Sequence, residues 1–236
     1  MPTVFVTGAN RGLGFEHVKQ YAHKGWKIIA CARNPDQADQ LLDLQNKYGE
    51  SFIIEQLDVT NHDSIDNLAN NYQGMAIDVL INNAGILGPE GMPGAMEYQK
   101  IDNMDYEIWR TIIEVNLLSP FKVATAFHDH IASSKKKILV MMSSDLGSVA
   151  QNNFGGLYPY RASKSGLNII AKGMASDWKD IITIALAPGW CKTYLGGDTA
   201  EVEADDSVEN QQNMFETLKP ENSGMFLDRF GKEVAW

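Results

Sequence analysis

Short apolar runs alternate with stretches of helical period along a chain of 236 residues. Runs near 3–7, 26–31, 51–57, 77–82, 137–143, 181–187 and 224–228 read as strands, and patterns near 12–24, 36–48, 61–73, 103–132 and 158–178 read as helices. Val79-Leu80-Ile81 and Ile138-Leu139-Val140-Met141-Met142 are apolar at every position, as strands covered on both faces are. The alternation predicts an α/β protein, a mostly parallel, doubly wound sheet with helices on both faces. No linker, composition shift or repeat divides the chain, so one domain over 1–236 is expected. Two segments break the rhythm. Gly88 to Gly94, with Pro89, Gly91 and Pro93, reads as a loop. Gly196 to Val208, with Glu201, Glu203, Asp205 and Asp206, reads as a long acidic loop and a candidate lid.

Composition narrows the partners. A formal net charge of -10 argues against nucleic acid and anionic membrane surfaces, both of which need a basic footprint. Cys31 and Cys191 make neither a disulfide framework nor a metal pattern, which suits a reducing compartment. His128 and His130 do not share a helix face, so no metal is expected. Met1-Pro2-Thr3 runs straight into the first strand, and no apolar stretch approaches the ~20 residues that span a bilayer. A soluble, cytoplasmic protein is the expectation.

The chemistry begins where the first strand ends. Thr7-Gly8-Ala9-Asn10-Arg11-Gly12-Leu13-Gly14 joins that strand to a helix, the context of a dinucleotide cradle. Gly8 permits the tight turn, Gly12 lets backbone approach a pyrophosphate, and Gly14 lets helix and strand pack closely. Helix first-turn amides then face the phosphates. The spacing is G-x-x-x-G-x-G rather than the common G-x-G-x-x-G. Farther along, Tyr160 and Lys164 stand four apart and share a helix face. A tyrosine of pKa roughly 10 is a poor proton-transfer group at neutral pH, and a nearby ammonium is expected to lower it. Tyr158 has Ala162, not a cation, four residues on.

Together with Asn82-Asn83-Ala84-Gly85, Asn116, Ser143-Ser144 and Pro188-Gly189, these motifs fall in the order of the short-chain dehydrogenase/reductase superfamily, which the chain resembles throughout. Gly155 to Lys164, Pro188 to Thr193 and Ser223 to Asp228 resemble the C-factor and sniffer-type carbonyl reductases within it. The resemblance implies a Rossmann-type sheet in the order 3-2-1-4-5-6-7. It also implies a catalytic set of Asn116, Ser144, Tyr160 and Lys164, with Asn116 holding a water in a proton relay and Lys164 binding the nicotinamide ribose. Ser144 is selected over Ser143 by the family pattern, the two pointing to opposite faces of a strand. Implied cofactor contacts are Gly8, Asn10, Arg11, Gly12, Leu13, Gly14, Arg33, Asp58, Val59, Asn83, Ala84, Gly85, Tyr160, Lys164, Pro188, Gly189 and Thr193. Asn82 would tie the backbone together, and Cys191 stands where the family often has a β-branched residue.

The end of the second strand bears on which cofactor. Ala32 occupies the place of the acid that accepts from an NAD ribose, and Arg33 follows it. Arg33 and Arg11 could both meet a 2′-phosphate with charge-assisted bonds, which points to NADPH. The expected reaction is reduction of a ketone, aldehyde or quinone, with Tyr160 donating the proton and Ser144 bonding the carbonyl oxygen. An NAD-linked alcohol dehydrogenase and a dinucleotide-binding signalling protein with little catalysis are the alternatives. Segments 88–97, 145–157 and 194–210 would line the pocket with Met92, Met96, Phe154, Leu195 and Met214. Gln151 to Gly156 lengthens the Ser144–Tyr160 spacing and should bulge at its mouth. The partner is a small carbonyl compound, with a homodimer or homotetramer possible through the long fourth and fifth helices.

Overall fold

The structure is a computed structural model and describes residues 1–88, 91 and 94–236. Pro89, Met92 and Pro93 of the expected loop therefore lie outside the described residues. β1 (Thr3–Thr7), α1 (Gly12–His23), β2 (Lys27–Ala32), α2 (Asp39–Tyr48), β3 (Phe52–Gln56), α3 (His62–Asn71) and β4 (Val79–Asn82) alternate as the pattern predicts. A small antiparallel pair, β5 (Gln99–Lys100) and β6 (Asn103–Met104), precedes α4 (Tyr106–Ile113), a π turn (Glu114–Leu118), α5 (Ser119–Ala126) and α6 (His128–Ala132). Then come β7 (Ile138–Met142), α7 (Tyr158–Asp177), β8 (Ile182–Ala187), α8 (Ala204–Phe215) and β9 (Phe226–Asp228).

The main sheet runs β3-β2-β1-β4-β7-β8-β9, the implied 3-2-1-4-5-6-7 order once the β5/β6 pair is set aside. Every pairing in it is parallel. The pleat sorts neighbouring side chains onto two cores. Val4 and Val6, Ile28 and Ala30, and Val140 and Met142 pack with Val18, Tyr21, Leu41 and Phe215 of α1, α2 and α8. Phe5, Ile29, Leu139 and Met141 pack on the other face with Ile65, Leu68, Val123 and Leu167 of α3, α5 and α7. Strand order reverses between β1 and β4, which opens a crevice at the strands' carboxyl ends.

Two expectations are corrected. The helix predicted over 103–132 begins only at Tyr106, where Asp105 accepts from the amides of Glu107 and Ile108 at 2.8 and 3.0 Å. It widens into the π turn just before Pro120, which lacks the N–H that would reach the carbonyl of Asn116. It breaks again at Phe127, between α5 and α6. The acidic loop expected to reach Val208 stops at Glu203, because Asp205 and Asp206 occupy the first turn of α8, where carboxylates favour a helix. That loop is stitched by backbone, with Lys192 N to Val202 O at 2.8 Å and Val202 N to Trp190 O at 3.1 Å.

Candidate active site

The turn after β1 is fastened to the end of β4. Thr7 Oγ1 accepts from the amides of Asn83 and Ala84, each at 3.0 Å, and Asn83 Nδ2 donates to the carbonyls of Thr7 and Gly8 at 2.9 and 3.1 Å. Asn83 thus does the tying expected of Asn82, whose amide instead reaches Pro120 O at 3.1 Å on α5. Gly14 has no room for a side chain, since a Cβ there would collide with Gly8 O and with Asn83 Nδ2 at 2.5 Å. Gly8 faces Ala84, and Gly12 faces Thr193 from the loop after β8. Arg11 begins α1 in extended backbone without a side-chain cap, so the first-turn amides and the positive dipole end stay available to an anion. Its guanidinium lies 4.6 Å from the ring centre of Tyr194, a contact sequence reasoning missed. Asn10 and Arg33 are exposed, Arg33 directly after the buried Ala32, while Leu13 and Val59 are partly covered. Asp58 Oδ1 accepts from Thr60 N at 3.0 Å, and α3 is capped by Asn61 rather than by Asp58.

Across the crevice, α7 carries Tyr160 and Lys164 on one face, with Lys164 Nζ 5.6 Å from the phenol ring centre. Tyr160 is 6% exposed and Tyr158 37%. Lys164 Nζ donates to Met142 O at 2.8 Å. Ser143 is buried and donates to Asn168 Oδ1 at 2.6 Å, whereas Ser144 stays partly exposed near the Tyr160 phenol, its Oγ accepting from Leu146 N at 3.2 Å. Asn116 is fully buried, accepts from Ile86 N at 2.8 Å, and donates to Ile86 O at 2.8 Å and Ser163 Oγ at 3.1 Å. Both its amide hydrogens are thereby used, and its carbonyl oxygen faces Gly85 beside Lys164 Nζ, 3.4 and 3.5 Å from where a Cβ would sit.

The expected lowering of the phenol by Lys164 is not what the chain sets up. Burial pushes Tyr160 up to about 12, partly opposed by Ser144 and reinforced by the Asp145 carboxylate. The same burial pulls Lys164 down to about 8. Burial disfavours both charged forms, and Tyr160 packs against an apolar wall of Leu87, Ala95 and Leu157, with Met96, Leu146 and Leu195 packed on it.

The short chain dehydrogenase family profile matches residues 2–204. The chain belongs to that family. C-signal of Myxococcus xanthus is 35% identical over 162 residues, which cover 68% of this chain and 93% of that protein. The carbonyl reductase Sniffer of D. melanogaster superposes with a TM-score of 0.90 at 28% identity, each chain covered in full. The NADPH-bound carbonyl reductase from chicken fatty liver gives 0.88 at 28% identity, covering 100% of this chain and 99% of that one.

In this short-chain dehydrogenase the pocket wall differs in part from expectation. Met96 and Leu195 do pack around Tyr160. Met214 does not; it belongs to the core under α8, because the helix turns it toward the sheet. Phe154 is exposed under the Arg161 guanidinium, 4.5 Å from it. Buried Arg161 braces the 151–157 bulge by donating to Gly156 O at 3.1 Å and Phe154 O at 3.2 Å. Thr7, Gln99, Ser163 and Arg161 are supporting residues that were not anticipated. Only Thr7 carried a local signal, a hydroxyl at the last position of a strand leading into glycine. The thiol of Cys191 is buried beside the Pro188 turn and pushed up by burial. Among the described residues no helix is long and apolar enough to cross a membrane and no group of residues could hold a metal ion.

Proposed function

We propose that this oxidoreductase reduces a carbonyl compound with NADPH, with Tyr160 as proton donor. The observation that carries the reading is the gathering of Ser144 and Lys164 beside a buried Tyr160 phenol that packs on an apolar wall, at the strand ends that also carry the glycine turn. The glycine turn suits a dinucleotide: side-chain-free backbone at Gly8, Gly12 and Gly14 and an uncapped α1 would meet the pyrophosphate, flanked by Asn10 and Leu13. Asp58 and Val59 would meet the adenine, Asn83, Ala84 and Gly85 the ribose, and Pro188, Gly189 and Thr193 the nicotinamide. Arg33 and Arg11, with no acid at Ala32, favour the phosphorylated cofactor. The NADPH in the chicken enzyme agrees with that choice.

Bound NADPH supplies the hydride. Tyr160, fully protonated at neutral pH, gives its proton to the carbonyl oxygen, and Ser144 donates a hydrogen bond to that oxygen as charge gathers on it. Lys164 keeps its cation beside the phenol through the step, and the free lone pair of Asn116 Oδ1 points to the same space for a relay toward solvent. Leu87, Leu157 and Leu195 favour a medium-sized, partly apolar carbonyl compound.

Loss of reduced-nicotinamide absorbance with a panel of ketones, aldehydes and quinones tests the reading. Tyr160→Phe should lower kcat about 10²–10⁴-fold while NADPH still binds. Turnover surviving in that variant ends the proton-donor assignment. NADPH binding without turnover moves the reading to a dinucleotide-binding regulator. Arg33→Glu should weaken NADPH by about 10- to 100-fold, as expected for a charge-assisted contact, and leave NADH nearly unchanged. Equal effects on both cofactors defeat the NADPH assignment.

A further inference from the structure

α8 packs on α1, and between them runs a line of side chains that the proposed reaction does not use. His17, Ser207 and Gln211 are fully buried. The line ends on the carbonyl of Pro188, 2.7 Å from Ser207 Oγ. Gln211 Nε2 lies 2.9 Å from Ser207 Oγ, and its Oε1 lies 3.0 Å from His17 Nε2. A carbonyl only accepts, so Ser207 must donate to Pro188. The Ser207 oxygen then accepts from Gln211, which requires the amide NH₂ on that side. Gln211 Oε1 is left facing His17, so Nε2 of the imidazole must carry the proton. One backbone carbonyl thereby dictates every donor direction, and neither the amide flip nor the tautomer is a free choice.

The arrangement carries a cost that packing alone would not require. Burial, the largest influence, holds His17 down at about 4, with Gln211 opposing it and Lys24 adding to it. The ring lies against Tyr21 and Phe215, and its Nδ1 is buried without a partner among the described residues. An apolar ring would fill the position without that orphaned acceptor. A tie between the helices is already supplied by Gln20 Nε2 to Asp205 O at 3.0 Å and Gln212 Nε2 to His17 O at 3.3 Å. What the line adds is its grip on Pro188.

We propose that Ser207, Gln211 and His17 are positioning residues that set the peptide between Pro188 and Gly189. In a trans peptide the N–H of Gly189 points away from the Pro188 carbonyl, so a pull toward α8 turns the other edge away from α8. Gly189 holds a φ of +86, a backbone conformation that residues with a side chain rarely adopt, so a substitution there is strained. This inference rests on the reading of that turn as the nicotinamide face. α1 presents its first turn to the pyrophosphate end of the same groove, so one helix pair would hold both ends of it.

Two arms test it. In the ligand-free protein, nitrogen NMR should find His17 neutral with its proton on Nε2. The Gly189 amide should be rigid, with an order parameter of about 0.85, and should fall toward about 0.6 in Ser207→Ala. A proton on Nδ1, or an unchanged Gly189, overturns the proposal whatever the protein catalyses. With NADPH and a carbonyl substrate, Ser207→Ala should lower kcat about 10- to 100-fold, the scale of a small misplacement of reacting groups. KM and the NADPH Kd should move less than about threefold, and Ser207→Thr should restore most of kcat. Wild-type kcat in Ser207→Ala, or no rescue by threonine, overturns it as well. Gln211→Leu leaves Ser207 in place and serves both arms if Ser207→Ala does not fold. A wild-type protein without NADPH-dependent turnover would defeat the proposed function, and the ligand-free arm would still decide whether the line holds Gly189.

Discussion

The turn after β1 and the loops after β7 and β8 face each other across one crevice, yet they are held by different means. On the β1 side the fastening joins two adjacent strand ends directly: Thr7 accepts from amides at the end of β4, Asn83 donates to carbonyls at the end of β1, and Gly14 closes the remaining space. On the β7 and β8 side the supports are side chains that lie outside the main sheet. Gln99 reaches Tyr160 N at 3.4 Å, and Ser148 Oγ reaches Ala235 O at 2.6 Å. Arg161 braces the 151–157 bulge, and α8 props the Pro188 turn. A surface assembled from neighbouring backbone suits a ligand that never changes. One assembled from side chains outside the sheet can be reshaped by single substitutions without disturbing the sheet, which suits the variable half of a substrate pocket.

The contrast can be broken in order of expected effect. The largest is electrostatic. With Lys164 held at about 8, its cation disappears above that pH while Tyr160, at about 12, keeps its proton. Carbonyl reduction should therefore fall as pH rises through about 8, approaching tenfold per unit. Lys164→Arg should shift the falling limb upward, and a pH–rate profile flat to pH 10 contradicts the role of the lysine.

Next comes the joint between the two sides. His17 has a folded value of about 4 against an ordinary 6.5, so the unfolded chain binds the extra proton first as pH falls. Its stabilising contribution is complete above about pH 6.5 and is lost as pH drops toward 4, a change of about 3 kcal/mol. Denaturant midpoints measured from pH 7 to pH 4 should show this slope, and His17→Phe should flatten it. Identical slopes in both proteins would mean that other groups dominate.

The smallest pair sharpens the comparison directly. Gly14→Ala must displace the Gly8 carbonyl or Asn83, and should cost about 1–3 kcal/mol of stability together with NADPH affinity. Gly155→Ala meets only the Tyr158 hydroxyl at 3.1 Å, a flexible tip, and should stay within about 0.5 kcal/mol. Thermal unfolding with and without NADPH separates them. If the two variants behave alike, the distinction between a stiff cradle and a tolerant pocket fails.

Read by itself, the sequence determined the sheet, its strands and the sites of the glycine turn and the Tyr160–Lys164 pair. These depend on runs of apolar residues and on spacings of a few positions, which local geometry converts into faces and turns. It also marked Ser144 and Asn116, though only by resemblance. The tertiary structure decided the rest. One expected helix became α4, α5 and α6, with a π turn at Asn116 just ahead of Pro120, and the carboxylates of Asp205 and Asp206 turned the end of an expected loop into the first turn of α8. The sign of the Tyr160 shift followed from burial, with the ring packed against Leu87, Ala95 and Leu157, and not from the lysine four residues away. His17 meets Gln211 across 194 residues of chain, and no period or spacing announces such a contact. Side chains that meet through the fold, rather than along the chain, depend on where every intervening element packs, so only the folded molecule reveals them.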